Sequence, residues 1–387
     1  MKKIVILGST GSIGSSLLNI IKKDKLKFKI ELLTIDKNYK KLINQIKTFN
    51  VKNVIITNEK SYLKSKKLLK KTNVNIYQNF DVIKKIFKNK KVDYVMSSIS
   101  GFEGLKPTLD IIKFTKTIAI ANKESIICGW SLINKQIIKH KTKFIPIDSE
   151  HFSIWSLMNN VKNKNLEKIY ITASGGPFRK LPINQFKHIT PQNALKHPNW
   201  IMGKKISIDS ATMMNKVFEI IEAKKIFDLK YSQLKILLHP QSYLHAIIKF
   251  NNGLSKLLVH DTNMTIPIFN SIYPDYEKTI KSKSLNIDIL NNLNLEIVDE
   301  NRFPAIQIIN KLTNKDSLFE TVIVSANDAL VNNFLKNKIK FIDISKILLK
   351  VLNLKEFIKL KKVNVKNVQQ ISKLANYVSF KVGTLCV

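Results

Sequence analysis

The sequence predicts an α/β protein with three regions. An N-terminal Rossmann-like doubly wound parallel sheet is followed by a central α+β catalytic region and a C-terminal helical bundle. Three observations carry this. Short, continuously apolar runs alternate with amphipathic segments up to about residue 149. A glycine-rich turn, Gly8-Ser9-Thr10-Gly11-Ser12-Ile13-Gly14, joins the first run to the first amphipathic segment. Beyond residue 301 the apolar spacing is helical.

Residues 3–7 are the first strand, and the helix after the glycine turn runs through Ile21. Further strands are expected at Ile30–Ile35, Asn53–Ile56, Val92–Met96, Thr117–Ile120 and Phe144–Ile147. Strands apolar on both faces, separated by helical segments, indicate a parallel sheet covered on each side. The dinucleotide-binding region is therefore drawn as 1–149. The catalytic region, 150–273, opens with a helix after Glu150 and a strand at Lys168–Thr172. A Gly/Pro-bearing loop from Ser174 to Gly203 follows, then a strand at Lys205–Ile208 and a helix beginning near Ser210. Strands at Leu234–His239, Tyr243–Phe250 and Leu254–His260 complete a sheet open enough to pair with another subunit. Residues 274–300 are polar and aperiodic, a connector. In 301–387, Ile306–Ile309, Val322–Phe334, Ile344–Leu354 and Val368–Tyr377 have helical spacing.

A length of 387 residues suits two to three domains. No charge-free stretch approaches the ~20 apolar residues of a membrane span. Lys2-Lys3 leads directly into the first strand, so no targeting segment is expected. Cys128 and Cys386 are too few for a disulfide framework, and a reducing cytoplasm fits best. The net charge of +37 suggests a polyanion partner. Against it, the lysines are spread along the chain, and only Arg179 and Arg302 are arginine, the preferred reader of guanine. Lys, Asn and Ile share A/T-rich codons, so composition alone accounts for the charge, and no nucleic acid is expected.

The glycine turn lets backbone approach a pyrophosphate and presents helix N–H groups to it. A tight strand–helix turn without ligand is the plainer alternative. Asp36 closes the second strand, where an acidic residue receives the ribose hydroxyls of NAD; Lys37-Asn38 can instead hold the 2′-phosphate of NADP. Spacing leaves both open.

Asp148 and Glu150 share a side if 147–150 stay extended, and a carboxylate-only set suits Mg²⁺ or Mn²⁺ rather than zinc. The alternative is a helix cap by Asp148 or Ser149, and both roles can hold at once. Asp209 or Ser210 can cap the next helix, whose N–H groups and dipole favour an anion. On that helix Asn215, Lys216 and Glu219 share a face, consistent with a phosphate clamp beside a metal ligand or with an ordinary surface pair. Lys123, in Ala121-Asn122-Lys123-Glu124-Ser125, follows a strand and can stabilise an oxyanion. Ser174-Gly175-Gly176-Pro177-Phe178 and His197-Pro198-Asn199-Trp200 bracket a loop long enough to act as a lid. His140, His151, His188, His245 and His260 read as structural; His239, in His239-Pro240-Gln241-Ser242, is undecided.

With these motifs, GSTGSIG (8–14), ANKES (121–125), DSEH (148–151), SGGPF (174–178), HPNW (197–200), DSATMMNK (209–216) and HPQS (239–242), the chain resembles the 1-deoxy-D-xylulose 5-phosphate reductoisomerase family over nearly its whole length. The resemblance implies an NADPH- and Mg²⁺- or Mn²⁺-dependent reductive isomerisation of a phosphorylated sugar in isoprenoid biosynthesis, by a homodimer. It assigns Thr10, Gly11, Ser12 and Ile13 to the pyrophosphate and Lys37 and Asn38, next to Asp36, to the adenosine end. Asn122, Glu124 and Gly203 complete the cofactor set. Asp148, Glu150 and Glu219 would hold the metal. Ser174, Ser210, Asn215 and Lys216 would bind the phosphate end of the substrate. Lys123, Ser149 and Glu150 would contact the reacting atoms, with His197 reaching over the substrate and Trp200 in the closing loop. Asp36 and Val217 stand where the family usually has glycine, Asn263-Met264-Thr265 where Asp-Met-basic is common, and Asp328 where Glu follows Ala-Asn. The rivals are a metal-independent Rossmann oxidoreductase, such as an amino-acid semialdehyde dehydrogenase, and a basic nucleic-acid-binding protein on a degenerate enzyme fold.

Overall fold

The computed structural model describes residues 1–88, 90–159, 165–200, 202–273 and 278–386. Residues 274–277 of the expected connector and Ile201 of the expected lid lie outside the described residues. The chain forms two compact units. One comprises Met1–Ser125, Leu132–Phe152 and Met264–Lys281; the other comprises Ile126–Ser131, Ser153–Asn263 and Ser282–Val387. Residues 264–281 thus group with the first unit, and the C-terminal helices with the second.

The first unit is built on seven strands: β1 Lys2–Leu7, β2 Phe28–Ile35, β3 Asn53–Ile56, β4 Asn75–Tyr77, β5 Val92–Ser97, β6 Thr115–Ile120 and β7 Lys143–Pro146. Their order is β4-β3-β2-β1-β5-β6-β7, and every pairing is parallel. Ile4, Val5, Ile6 and Leu7 of β1 are fully buried, as a strand covered on both faces must be. Strand order reverses beside β1, between β2 on one side and β5 on the other, and ligands enter such sheets at that switch point. β4 has no counterpart in the sequence expectation. It is a three-residue edge strand of Asn, Ile and Tyr with none of the apolar continuity of the others.

A second, five-stranded sheet belongs to the second unit: β8 Leu166–Ala173, β9 Leu234–Leu238, β10 Leu244–Phe250, β11 Ser255–Val259 and β12 Glu296–Ile297, ordered β11-β10-β8-β9-β12. Only β8 and β9 run parallel. Ile169, Ile171, Ala246 and Ile248 pack against Ile220 and Ala223 of the helix Met214–Ile226, which fixes that helix on the sheet. The helices Phe319–Leu335, Phe341–Leu352 and Val368–Leu385 form the expected bundle. Each contributes a buried apolar face, for example Ile344, Leu348 and Val351.

Lys205–Ile208, read from the sequence as a strand, lies in a helix, Lys204–Ala211. The run Lys-Ile-Ser-Ile alternates as a strand does over four residues, too short to separate the two periods. Gly203 at the N-cap and a Lys205–Asp209 ion pair of 3.2 Å, one turn apart, belong to the helix. No helix among the described residues is long and apolar enough to cross a membrane.

Candidate active site

In the first unit the glycine turn separates three roles. Gly8 has φ +89°, and a Cβ there would lie 2.8 Å from the Ser98 carbonyl oxygen, so only glycine fits. A Cβ on Gly14 would lie 2.5 Å from the Gly8 carbonyl oxygen, which fixes the close seating of the helix Ser12–Lys22 on the turn. Gly11 has ordinary backbone angles and is exposed. It is the N-cap residue and has no side chain to bond the N–H groups of the first turn. The turn is braced by buried Gln45, which accepts from Ser9 Oγ (2.8 Å) and donates to the Ser9 carbonyl (2.9 Å). At the end of β2, Asp36 is exposed, accepts from Thr57 Oγ1 (3.1 Å) and lies 3.8 Å from the Lys37 ammonium. Asn38 caps the helix Tyr39–Phe49 by accepting from the Lys41 amide.

The loops after β1, β5, β6 and β7 are then linked in series. Ser98 donates to the Leu7 carbonyl (2.8 Å). Asn122 donates to the carbonyls of Ile99 and Gly101 while its oxygen caps the helix Lys123–His140. Its side chain therefore builds the loop that the resemblance assigns to the cofactor, and Glu124 beside it is buried in the first turn. Lys123 Nζ lies 2.5 Å from Asp148 Oδ2.

Around Asp148 the extended backbone assumed from the sequence is absent. β7 ends at Pro146 and a helix, Ser149–Leu157, starts at once. Asp148 Oδ1 accepts the amides of Glu150 (3.1 Å) and His151 (3.3 Å), an N-cap, so one carboxylate caps the helix and pairs with Lys123. The two carboxylates still converge, offering oxygens within 4.8 Å of one another. Ser149 Oγ donates to Glu150 Oε2. His151, read from the sequence as structural, is fully buried, 3.1 Å from Asp148 Oδ1.

In the second unit, Ser210 does not cap the helix that follows. Asp209 and Ser210 end the helix Lys204–Ala211, and Met213, at φ +64°, separates it from the helix Met214–Ile226. Asp209 is buried and accepts from Asn327 (2.7 Å), an anchor 118 residues away that local sequence does not signal. Asn215 and Lys216 both donate to the buried carboxylate of Glu219, as their shared helix face requires. Val217 is fully buried behind them. Gly203 is exposed, with nothing within 4 Å of a Cβ built on it.

The loop after β8 places Ser174 Oγ 3.2 Å from His197 Nε2 and 3.1 Å from the Gly176 amide, which donates to it. His197 Nδ1 accepts the amides of Asn199 (3.1 Å) and Trp200 (3.0 Å), which assigns the ring proton to Nε2. Burial and the nearby Lys216 ammonium push the His197 pKa down to about 4, so the ring is a neutral Nε2–H donor. Asn199 Nδ2 donates to the Pro240 carbonyl (2.6 Å) and Ser242 Oγ (2.8 Å). The undecided His239 motif is thus the seat of the His197–Trp200 segment, and His239 itself is fully buried with Nδ1 3.4 Å from the Asn294 carbonyl. Trp200 sets its edge against His245, which stacks on His260 at 3.7 Å.

A doubly wound parallel sheet whose glycine turn opens at the switch point, with a lysine–carboxylate pair at the ends of β6 and β7, is the architecture of a nicotinamide-dependent oxidoreductase. Comparison with known proteins makes this specific. Residues 4–129 match the family model for 1-deoxy-D-xylulose 5-phosphate reductoisomerase, and residues 144–227 and 260–378 match models of its C-terminal domains. The 1-deoxy-D-xylulose 5-phosphate reductoisomerase of Pelagibacter ubique is 67% identical over the full length of both chains, and that of Clostridium novyi 37% over 96% of each. The enzyme of Zymomonas mobilis, solved in complex with NADPH, superimposes with a TM-score of 0.88 at 30% identity, covering 100% of this chain and 99% of that one. A DOX-P reductoisomerase solved with NADPH, fosmidomycin and magnesium also gives 0.88, at 29% identity and with 100% and 97% covered. The chain belongs to the 1-deoxy-D-xylulose 5-phosphate reductoisomerase family.

Proposed function

We propose that this chain converts 1-deoxy-D-xylulose 5-phosphate to 2-C-methyl-D-erythritol 4-phosphate with NADPH and Mg²⁺ or Mn²⁺, as a cytoplasmic homodimer in isoprenoid biosynthesis. The observation that carries the reading is the ion pair of Lys123 with Asp148, beside Glu150, at the carboxyl end of the nucleotide-binding sheet. Family membership supports the substrate, and the complexes of relatives with NADPH and magnesium support the cofactors.

Asp148, Glu150 and Glu219 are assigned to the metal. They fit it, because all three donors are carboxylate oxygens, which a hard cation prefers, and the set holds no sulfur or imidazole. When bound, the ion polarises ketone and hydroxyl oxygens of the substrate, and the nicotinamide supplies a hydride. Carbon–carbon cleavage and rejoining, most simply retro-aldol then aldol, places negative charge on a substrate oxygen. Reduction of the resulting aldehyde does so again. Lys123 is assigned to hold its N–H at that oxygen in both steps, with Asp148 keeping it aimed. Ser149 and Glu150 are assigned to the same reacting centre.

Ser174, Ser210, Asn215 and Lys216 are assigned to the substrate phosphate. Ser174 Oγ accepts from Gly176 and faces a His197 donor, so its own hydroxyl hydrogen is the one to offer to a phosphate oxygen. His197 extends the same donor array, and Trp200 excludes water from above. For the cofactor, Thr10, Gly11, Ser12 and Ile13 are assigned to the pyrophosphate. Lys37 and Asn38 are assigned to the 2′-phosphate, Asp36 beside them accepts from Thr57, and Asn122, Glu124 and Gly203 are assigned to the rest of the cofactor. Oxidation of NADPH by purified protein with 1-deoxy-D-xylulose 5-phosphate and Mg²⁺, abolished by a chelator, tests the reading. Turnover that survives chelation would favour the metal-independent dehydrogenase.

A further inference from the structure

Of the chain's 65 Lys and Arg residues only Arg179 and Arg302 are arginine, and both act on one loop, the turn after β8 that carries Ser174. In a sequence drawn so strongly toward lysine, two arginines on one loop mark places where an ammonium does not meet the geometry. Arg302 Nη1 donates to the carbonyls of Leu181 (2.6 Å) and Phe178 (3.1 Å), while its guanidinium lies over the Phe186 ring, 5.6 Å from the centroid. A planar cation can lie flat on a ring and still send N–H groups in its own plane to two acceptors; a lysine cannot do both. The Phe178 ring packs edge-on against Phe341 at 5.3 Å, which closes the grip from the other side. Arg179 covers Gly175, where a Cβ would meet its Cδ at 2.8 Å, and reaches Glu296 at 3.3 Å.

The gripped loop leads directly to the phosphate end. Gly175 and Gly176 both have positive φ, +79° and +66°, and a Cβ on Gly176 would sit 3.0 Å from Ala211 Cα and 3.1 Å from the Ser210 carbonyl oxygen. The loop therefore lies against the helix end that bears Ser210, and Ser174 is anchored at its start through the Gly176 amide. Any slackening at Phe178–Leu181 moves Ser174 relative to Ser210.

We propose that Arg302 is a positioning residue for substrate phosphate recognition: it locks the Phe178–Leu181 turn so that Ser174 and Ser210 present one donor array. This rests on the assignment of Ser174 and Ser210 to the phosphate. The test compares steady-state kinetics of Arg302→Ala, Arg302→Lys and Ser174→Ala, with inorganic phosphate as inhibitor and thermal melting as a control on folding. Arg302→Ala is expected to raise KM for 1-deoxy-D-xylulose 5-phosphate and the phosphate inhibition constant about tenfold, with kcat and KM for NADPH changed less than about twofold. Arg302→Lys is expected in between, and it carries the test if the alanine variant does not fold. An unchanged substrate KM in a folded Arg302 variant, with KM raised in Ser174→Ala, overturns this inference alone. An unchanged KM in Ser174→Ala overturns the phosphate assignment and this inference with it. Parallel losses in kcat and NADPH affinity would make Arg302 a general structural residue and also overturn the proposal.

Discussion

His197 Nε2 faces Ser174 Oγ at 3.2 Å while its Nδ1 accepts two backbone amides, so the side chain is fixed as a neutral donor. Burial and Lys216 hold its pKa at about 4, against 6.5 for an unperturbed imidazole. Between those values the unfolded chain takes up a proton that the folded chain refuses, so stability falls as pH drops through this window and His197 makes no pH-dependent contribution above it. NMR titration of the ring protons should show no His197 transition near pH 6.5. A transition there would show that His197 is not held as a neutral donor.

The three glycines of the nucleotide turn should fail differently. Gly8→Ala and Gly14→Ala force a Cβ to within 2.8 Å and 2.5 Å of backbone, and each should cost about 1–3 kcal/mol of stability. Gly11→Ala has room within the protein, since its Cβ meets only the Gly8 carbonyl at 3.5 Å. It should melt like the parent while KM for NADPH rises. Thermal melting and KM together separate the two effects; a folded, NADPH-competent Gly14→Ala would contradict the packing argument.

Lys123 is paired with Asp148 and largely sheltered from solvent. On the role proposed for Lys123, Lys123→Met removes the donor to the developing oxyanion, and kcat should fall about 100-fold or more with little change in NADPH affinity. Single-turnover measurements would locate the loss in the chemical step. Unchanged kcat would move Lys123 out of the site.

Asp36 is exposed beside Lys37, where a 2′-phosphate and its own carboxylate carry like charge. Asp36→Gly should lower KM for NADPH a few-fold at low salt, the effect fading as salt is added, as for any exposed charge pair. A rise in KM would show that the carboxylate contributes to binding.

Much of this was legible in the chain itself. Strands such as Ile4–Leu7 are buried on both faces, so apolar continuity alone reveals them. Residue pairs set by a single helix turn, such as Lys216 with Glu219, could also be read from spacing. Besides the extended backbone assumed at 147–150, two local readings failed for physical reasons. Lys205–Ile208 offered too few residues to distinguish the two periods. The Asp209-Ser210-Ala211-Thr212 stretch has cap-like composition but ends one helix, because Met213 takes the left-handed turn. What spacing could not show is whatever joins distant segments: Gln45 bracing Ser9, Asn327 holding Asp209, Asn199 reaching Ser242, and Arg302 gripping the Ser174 loop. Asp148 lay between these cases, since its capping role was visible in sequence while its pairing with Lys123 required the sheet order.

The claim that three carboxylates hold the catalytic metal is tested most directly by titrating Mn²⁺ into the NADPH-bound protein, following free ion by electron paramagnetic resonance. The parent is predicted to bind a single tight ion per chain, and Glu150→Gln and Glu219→Gln, both folded, to lose most of that affinity together with turnover. Undiminished Mn²⁺ binding in either variant would contradict the assignment.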